Sequence, residues 1–174
     1  WLDLARYADS DGYESDLEVL MLMLETLRTA GIGEVHLDLG HVAVFRELVS
    51  QAGLNAEQES TLFEALQRKA LPEIHQHLAE WPLMVPCREW LQTLATLNGG
   101  LETLDEAEAR LAMCSSGVRE ALMMLRRLVG ALRQQWPNLP IHVDLAELRG
   151  YHYHTGILFS AYTPGQGAAV AQGG

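Results

Sequence analysis

Apolar positions recur along this chain first at helical spacing, then at strand spacing, then at helical spacing again. Ser15-Asp16-Leu17-Glu18 reads as a capping box, with the Ser15 hydroxyl accepting from the amide three residues on and Glu18 reaching back. Leu17, Leu20, Met21, Leu24 and Leu27 then share one face, Arg28 stands where a helix dipole favours a cation, and Gly31 can close the end. Together they predict a helix over about 15–30. From Glu34 to Leu39 polar and apolar side chains alternate, as in a strand with one buried face, and Gly40 is expected to turn the chain. Val42 to Ala52 is helical in character and ends at Gly53, and Asn55 is placed to cap the next helix.

From about 55 to 135 the pattern is mostly helical. Leu62, Leu66 and Ala70 share a face, and Pro72, Pro82 and Pro86 cut the region into short pieces. Asn98-Gly99-Gly100 reads as a turn, 104–113 as a helix, and Ser115 or Ser116 as the start of a longer helix ending near Trp136-Pro137. The period then changes. Ile141, Val143 and Leu145 alternate with His142, Asp144 and Ala146, residues 156–162 form an apolar and aromatic strand, and 168–171 opens a third strand after the turn at 164–167. The order is an early strand, a helical block and a group of neighbouring antiparallel strands, which is an α+β class.

The 174 residues suit one domain or part of one, and 48% hydrophobic with 20% charged residues is enough to build a core. Opening at Trp1 and stopping at Gly173-Gly174, the chain reads as a piece of a longer protein. A net charge of -11 disfavours a general nucleic-acid or anionic-membrane binder. No apolar run approaches the roughly 20 residues of a membrane span. Cys87 and Cys114 are too few and too far apart for a disulfide framework or zinc knuckle, which points to a reducing compartment, the cytoplasm.

Chemistry concentrates in Arg149-Gly150-Tyr151-His152-Tyr153-His154, where one arginine, two tyrosines and two histidines occupy six residues. In extended geometry Arg149, Tyr151 and Tyr153 point to one face and His152 and His154 to the other. A guanidinium flanked by phenols suits a small zwitterion, the guanidinium gripping a carboxylate and the phenols bonding to or stacking on a ring. The plainer alternative is ordinary strand packing with Arg149 at an exposed edge. Other clusters carry less. His142, His152 and His154 lack the four-ligand spacing of a structural zinc site, and no metal or other cofactor is expected. His75 and His77 fall on different faces of a helix. The acidic opening Asp9, Asp11, Glu14, Asp16 and Glu18 reads as solvated loop and helix N-terminal charge. The methionines read as core filler.

The stretch from Leu148 to Phe159 resembles the second histidine-specific signature of histidyl-tRNA synthetases, Arg-Gly-Leu-Asp-Tyr-Tyr followed by Val-Phe-Glu. Arg149, Gly150, Tyr153 and Phe159 match, whereas Tyr151, His152, His154 and Ser160 replace Leu, Asp, Tyr and Glu. Residues 144–156 are more similar still to the synthetase paralogues that serve as regulatory subunits of ATP phosphoribosyltransferase, a likeness that extends to Ser15–Leu20 and Leu37–His41. The resemblance implies a class II aminoacyl-tRNA synthetase-like antiparallel sheet ringed by helices, here a fragment of the full core, with about 55–100 as a helical insertion. It implies a non-catalytic subunit that self-associates through that core. It also implies assembly with the short-form catalytic subunit, activation of that partner, histidine as ligand in feedback sensing, and no tRNA. Carried over position by position, Arg149 is expected to meet the ligand carboxylate, with Tyr151, Tyr153 and His154 around it. The competing reading is a histidyl-tRNA synthetase fragment, an ATP-dependent ligase, against which the exchanges at 151, 152, 154 and 160 speak. In the helical block, Trp81, Leu83, Met84 and Trp90 are candidates either for a partner surface or for local packing.

Overall fold

The computed structural model describes residues 13–149, 151 and 153–174. Asp9, Asp11, Gly150 and His152 therefore lie outside the described residues. The elements in chain order are α1 (Tyr13–Thr29), β1 (His36–His41), α2 (Val42–Ala52), α3 (Ala56–Gln67), α4 (Leu71–Glu80) and α5 (Val85–Leu94). They are followed by β2 (Asn98–Gly99), α6 (Glu102–Arg110), α7 (Ser116–Gln135), β3 (Ile141–Asp144), β4 (Ile157–Tyr162) and β5 (Ala171–Gly173).

Local chemistry accounts for most of the helix ends. Asn55 and Gln58 form a reciprocal capping box at the start of α3, and the Ser115 hydroxyl accepts from the Val118 amide at the start of α7. Gly31 and Gly53 take positive φ, 81° and 67°, where they close α1 and α2. Pro72 and Pro86 sit in the first turns of α4 and α5, where a missing amide is harmless. α1 differs from its expected start. It begins at Tyr13, so Ser15 and Glu18 lie inside the helix. The added residues are anchored by Tyr13, whose ring lies 4.1 Å under the Arg127 guanidinium and whose hydroxyl donates to the Arg127 carbonyl.

The five strands form one sheet in the order β2-β3-β1-β4-β5. It is mixed: β1 and β3 run parallel, and the other pairs are antiparallel. The late strands are thus not all neighbours, because β1 separates β3 from β4. A parallel pair needs a long crossover, and the helices from α2 to α7 supply it. Asn98-Gly99, expected as a turn, pairs with β3 as a short edge strand. Gly40 does not turn the chain either. It sits inside β1, where a Cβ would fall 2.8 Å from the Asp144 carbonyl oxygen, so only glycine allows that approach.

Strand alternation gives the sheet two faces. Leu37, Leu39, Ile141, Val143, Phe159 and Ala161 are buried, and all but Ala161 join a single apolar cluster with Phe45, Leu48, Leu122 and Leu125 of the helices. Side chains of the helical block, including Leu62, Leu66, Ile74, Leu78, Leu91 and Leu94, belong to the same cluster. Trp81, Leu83 and Trp90 pack against it, whereas Met84 is 68% exposed. The opposite face carries His36, Asp38, His142, Ser160 and Tyr162, brought side by side by the register Asp38↔His142, Asp38↔Ser160 and His36↔Tyr162. No helix among the described residues is long and apolar enough to cross a membrane.

Gly40→Ala should destabilise the fold by about 1–3 kcal/mol through the clash with strand backbone. Equilibrium denaturation checks this, and an unchanged midpoint would contradict the close approach.

Candidate functional site

Arg149, Tyr151 and Tyr153, expected in an extended segment, lie in turns instead. After β3 the chain turns at Asp144, whose carboxylate accepts from the Ala146 amide and whose carbonyl accepts from the Glu147 amide. The Tyr151 amide then donates to the Leu148 carbonyl. These turns bury Leu145, Leu148 and Tyr151, and that burial opposes an extended path. Lys69, at φ 51°, reaches across to place Nζ 2.6 Å from Asp144 Oδ2. The far end of the loop is held by α2. Arg46 donates to the carbonyls of Tyr151 and His154, and the Val42 amide donates to the Gly156 carbonyl.

Arg149, Tyr151 and Tyr153 consequently do not share a face. Tyr151 turns inward, its ring 5.2 Å from Phe45, 5.6 Å from Phe63 and 5.2 Å from the Arg46 guanidinium, and its hydroxyl donates to Glu59 at 2.7 Å. Burial, reinforced by Glu59, pushes its phenol above the ordinary value. Tyr153 is 90% exposed. Arg149 and His154 are brought together: both line a cavity of about 270 Å³ with Glu147, Phe159, Ser160 and Gln172. Its wall at β5 is formed by Gln172 and Gly173. A Cβ at Gly173 would sit 2.6 Å from the Phe159 ring, and one at Gly174 would sit 2.7 Å from Leu158.

The Arg149 guanidinium is held on two sides. Nε and Nη2 donate to the two carboxylate oxygens of Glu147 at 3.0 and 2.7 Å, and Nη2 also donates to the Tyr162 hydroxyl at 2.7 Å. The Arg149 amide donates to the same carboxylate. Burial pushes the Glu147 carboxyl up, but these bonds outweigh it and hold it below its usual range. Glu147, and secondarily Tyr162, raise the guanidinium further above its ordinary value. The result is a fixed, charge-neutral pair at the mouth of the cavity, with the Nη1 edge of Arg149 taken by no bond among the described residues. Beside it, Tyr162 stacks on His36 at 5.3 Å. Asp38 is pushed up chiefly by burial, which His142 and His36 oppose.

Glu147, Tyr162, Arg46, Ser160 and Gln172 were not among the expected site residues. Glu147 carried a readable signal, a carboxylate two residues before Arg149. Arg46 carried none, since it meets the loop across 105 and 108 positions. Among the described residues no group of three His, Cys, Asp or Glu side chains is placed to hold a metal ion. A larger groove of about 560 Å³, lined by Leu24, Arg28, Trp136 and Pro164 among others, contains none of the signature residues.

The histidyl-tRNA synthetase family model matches residues 7–174, and the chain belongs to that family. A curated relative from Alkalilimnicola ehrlichii, named ATP phosphoribosyltransferase regulatory subunit, is 52% identical over 163 residues, covering 94% of this chain and 41% of the relative. The chain thus spans about two fifths of that relative's length. A solved structure from Bacillus halodurans, described as an ATP phosphoribosyltransferase regulatory subunit/histidyl-tRNA synthetase, superposes with a TM-score of 0.80 at 23% identity, covering 94% of this chain and 42% of that one. A chain of the ATP phosphoribosyl transferase (HisG:HisZ) complex from Thermotoga maritima superposes with a TM-score of 0.72 at 18% identity, covering 95% of this chain and 57% of that one. The fold is the class II synthetase-like α+β fold, present here in part.

His41, the last residue of β1, supplies a pH signal. It caps α2 through Nδ1, which accepts from the Ala43 amide, while Nε2 is buried without a partner among the described residues. Burial, with Arg46 adding, lowers its pKa to about 4. The folded state therefore keeps this ring neutral, and the unfolded state binds the proton first. Its contribution is complete above pH 6.5 and is lost as pH falls from 6.5 towards 4, by roughly 3 kcal/mol at most. His41→Asn retains a capping side chain but cannot titrate. Stability measured by denaturation between pH 7 and pH 4.5 should fall less steeply in this variant than in the wild type, and equal slopes would contradict the assignment.

Proposed function

We propose that the protein containing this chain is the non-catalytic regulatory subunit of ATP phosphoribosyltransferase, a cytoplasmic protein of histidine biosynthesis. It activates a short catalytic subunit and takes part in histidine feedback. The observation that carries this reading is the 52% identity over 94% of the chain to a relative bearing that name. The Thermotoga maritima complex supports a hetero-oligomeric setting, and self-association of the class II core fits the same assembly. Residues 55–100 act in it as a helical insertion within the core.

The cavity beside Arg149 is its histidine pocket. A neutral Arg149–Glu147 pair complements a zwitterion: the open guanidinium edge takes the carboxylate, and Glu147 takes the ammonium group. His154 flanks the ligand. Tyr151 positions the loop through its packing on Phe45 and Phe63, and Tyr153 stands at the rim. Ser160 in place of the synthetase glutamate also supports a binding role over ligase chemistry.

Two measurements on the full-length protein test this. Mixed with the short catalytic subunit, it should form a larger complex by mass and raise turnover. Independent migration with unchanged turnover would remove the regulatory role. By titration calorimetry, Arg149→Ala should weaken histidine binding at least about tenfold, the scale of losing a charge-assisted bond. Equal affinity would take Arg149 out of the site. Clear histidine-dependent pyrophosphate exchange would favour the ligase reading instead.

A further inference from the structure

We propose that Ser160 and its cross-strand neighbour Gln172 select the ligand's side chain, reading a neutral azole ring through its one N–H and its one bare nitrogen. This assignment rests on the cavity being an amino-acid pocket and adds what distinguishes one amino acid from another there. Ser160 is 7% exposed, lines the cavity, and has a hydroxyl with no hydrogen-bond partner among the described residues. That hydroxyl opens into the cavity, where water or a ligand can bond to it. Gln172 lies directly opposite on β5, in the register Ser160↔Gln172, and lines the same space. Directly opposed residues in an antiparallel pair project to one face with their Cβ atoms roughly 5 Å apart.

The chemistry of the two groups matches one kind of ring. A hydroxyl and a carboxamide each donate and accept, and neither carries charge. Together they can satisfy a donor and an acceptor on one five-membered ring without requiring it to be protonated. A carboxylate at position 160, as in the synthetase signature, would favour the protonated ring. The charged groups of the cavity, Arg149 and Glu147, are already engaged with each other and suit the ligand's backbone charges. Ring recognition therefore falls to the uncharged pair.

The test is calorimetric titration of the full-length protein with L-histidine and with L-phenylalanine, which offers a ring without nitrogens. The wild type should prefer histidine by at least about tenfold. Ser160→Ala and Gln172→Leu should each weaken histidine binding by about 3–10-fold, the worth of one neutral hydrogen bond, while phenylalanine affinity stays the same. Thermal melts of both variants establish that they fold. If the wild type binds histidine and both variants keep its preference over phenylalanine, the ring assignment is overturned and the Arg149 pocket stands. If the wild type binds no histidine, the amino-acid reading of the cavity falls and this assignment falls with it.

Discussion

Arg46 is the constraint on which the candidate site depends. The described residues between β3 and β4 belong to no strand, so their carbonyls must find donors outside a ladder. Arg46 supplies them to Tyr151 and His154, and the Val42 amide serves Gly156. Both donors come from α2, a helix whose inner face is locked into the core by Val44, Phe45, Leu48 and Val49. The loop therefore inherits the rigidity of the core without secondary structure of its own. The same clamp turns Tyr151 inward, because the guanidinium that bonds its carbonyl also lies over its ring. Once Tyr151 is buried, Arg149 is left at the cavity and Tyr153 is left outside.

The two-sided sheet explains why a cavity forms where it does. Leu37, Leu39 and Val143 face the helices, so the residues between them face away, and these are polar. β4 extends this polar face with Ser160 and Tyr162, and β5 places Gln172 beside it. Glycine at 173 and 174 brings the β5 backbone onto Phe159 and Leu158, which seats the edge strand tightly while leaving Ser160 open to the cavity. A side chain at either glycine would meet those neighbours at less than contact distance. The polar face is thus set by strand period, and its depth by glycine.

Elements whose signals are local were readable from residues alone. The Asn55 cap, the Ser115 cap, the Gly31 and Gly53 endings and the apolar stripe of α7 all depend on neighbours within a few positions. The pairing of β1 with β3 brings together residues about a hundred positions apart, and nothing near either strand announces that they run parallel. Gly40 misleads for a related reason. Glycine marks a turn or a close approach equally well, and the approaching atom, the Asp144 carbonyl oxygen, is remote in sequence. Arg149 and His154, singled out by their chemistry, both line the cavity, but alternation could not place the tyrosines, because it assumes an extended backbone that the Asp144 turn ends.

The Arg149–Glu147 pair gives the cavity a selectivity that its shape alone would not provide. A lone guanidinium would attract any anion, phosphate included. With Glu147 bound along one edge, the site carries no net charge, and an anion gains from the open edge but meets repulsion from the carboxylate. A ligand carrying both signs meets a complementary group for each. The acidic balance of this chain acts in the same direction, since a net charge of -11 lowers the local concentration of anions without excluding neutral zwitterions. Tyr162 accepts a further bond from the same Nη2, so the guanidinium presents its Nη1 edge in place of a mobile charge. A preorganised neutral pair loses little freedom on binding, which suits the cavity to the zwitterionic ligand proposed for it.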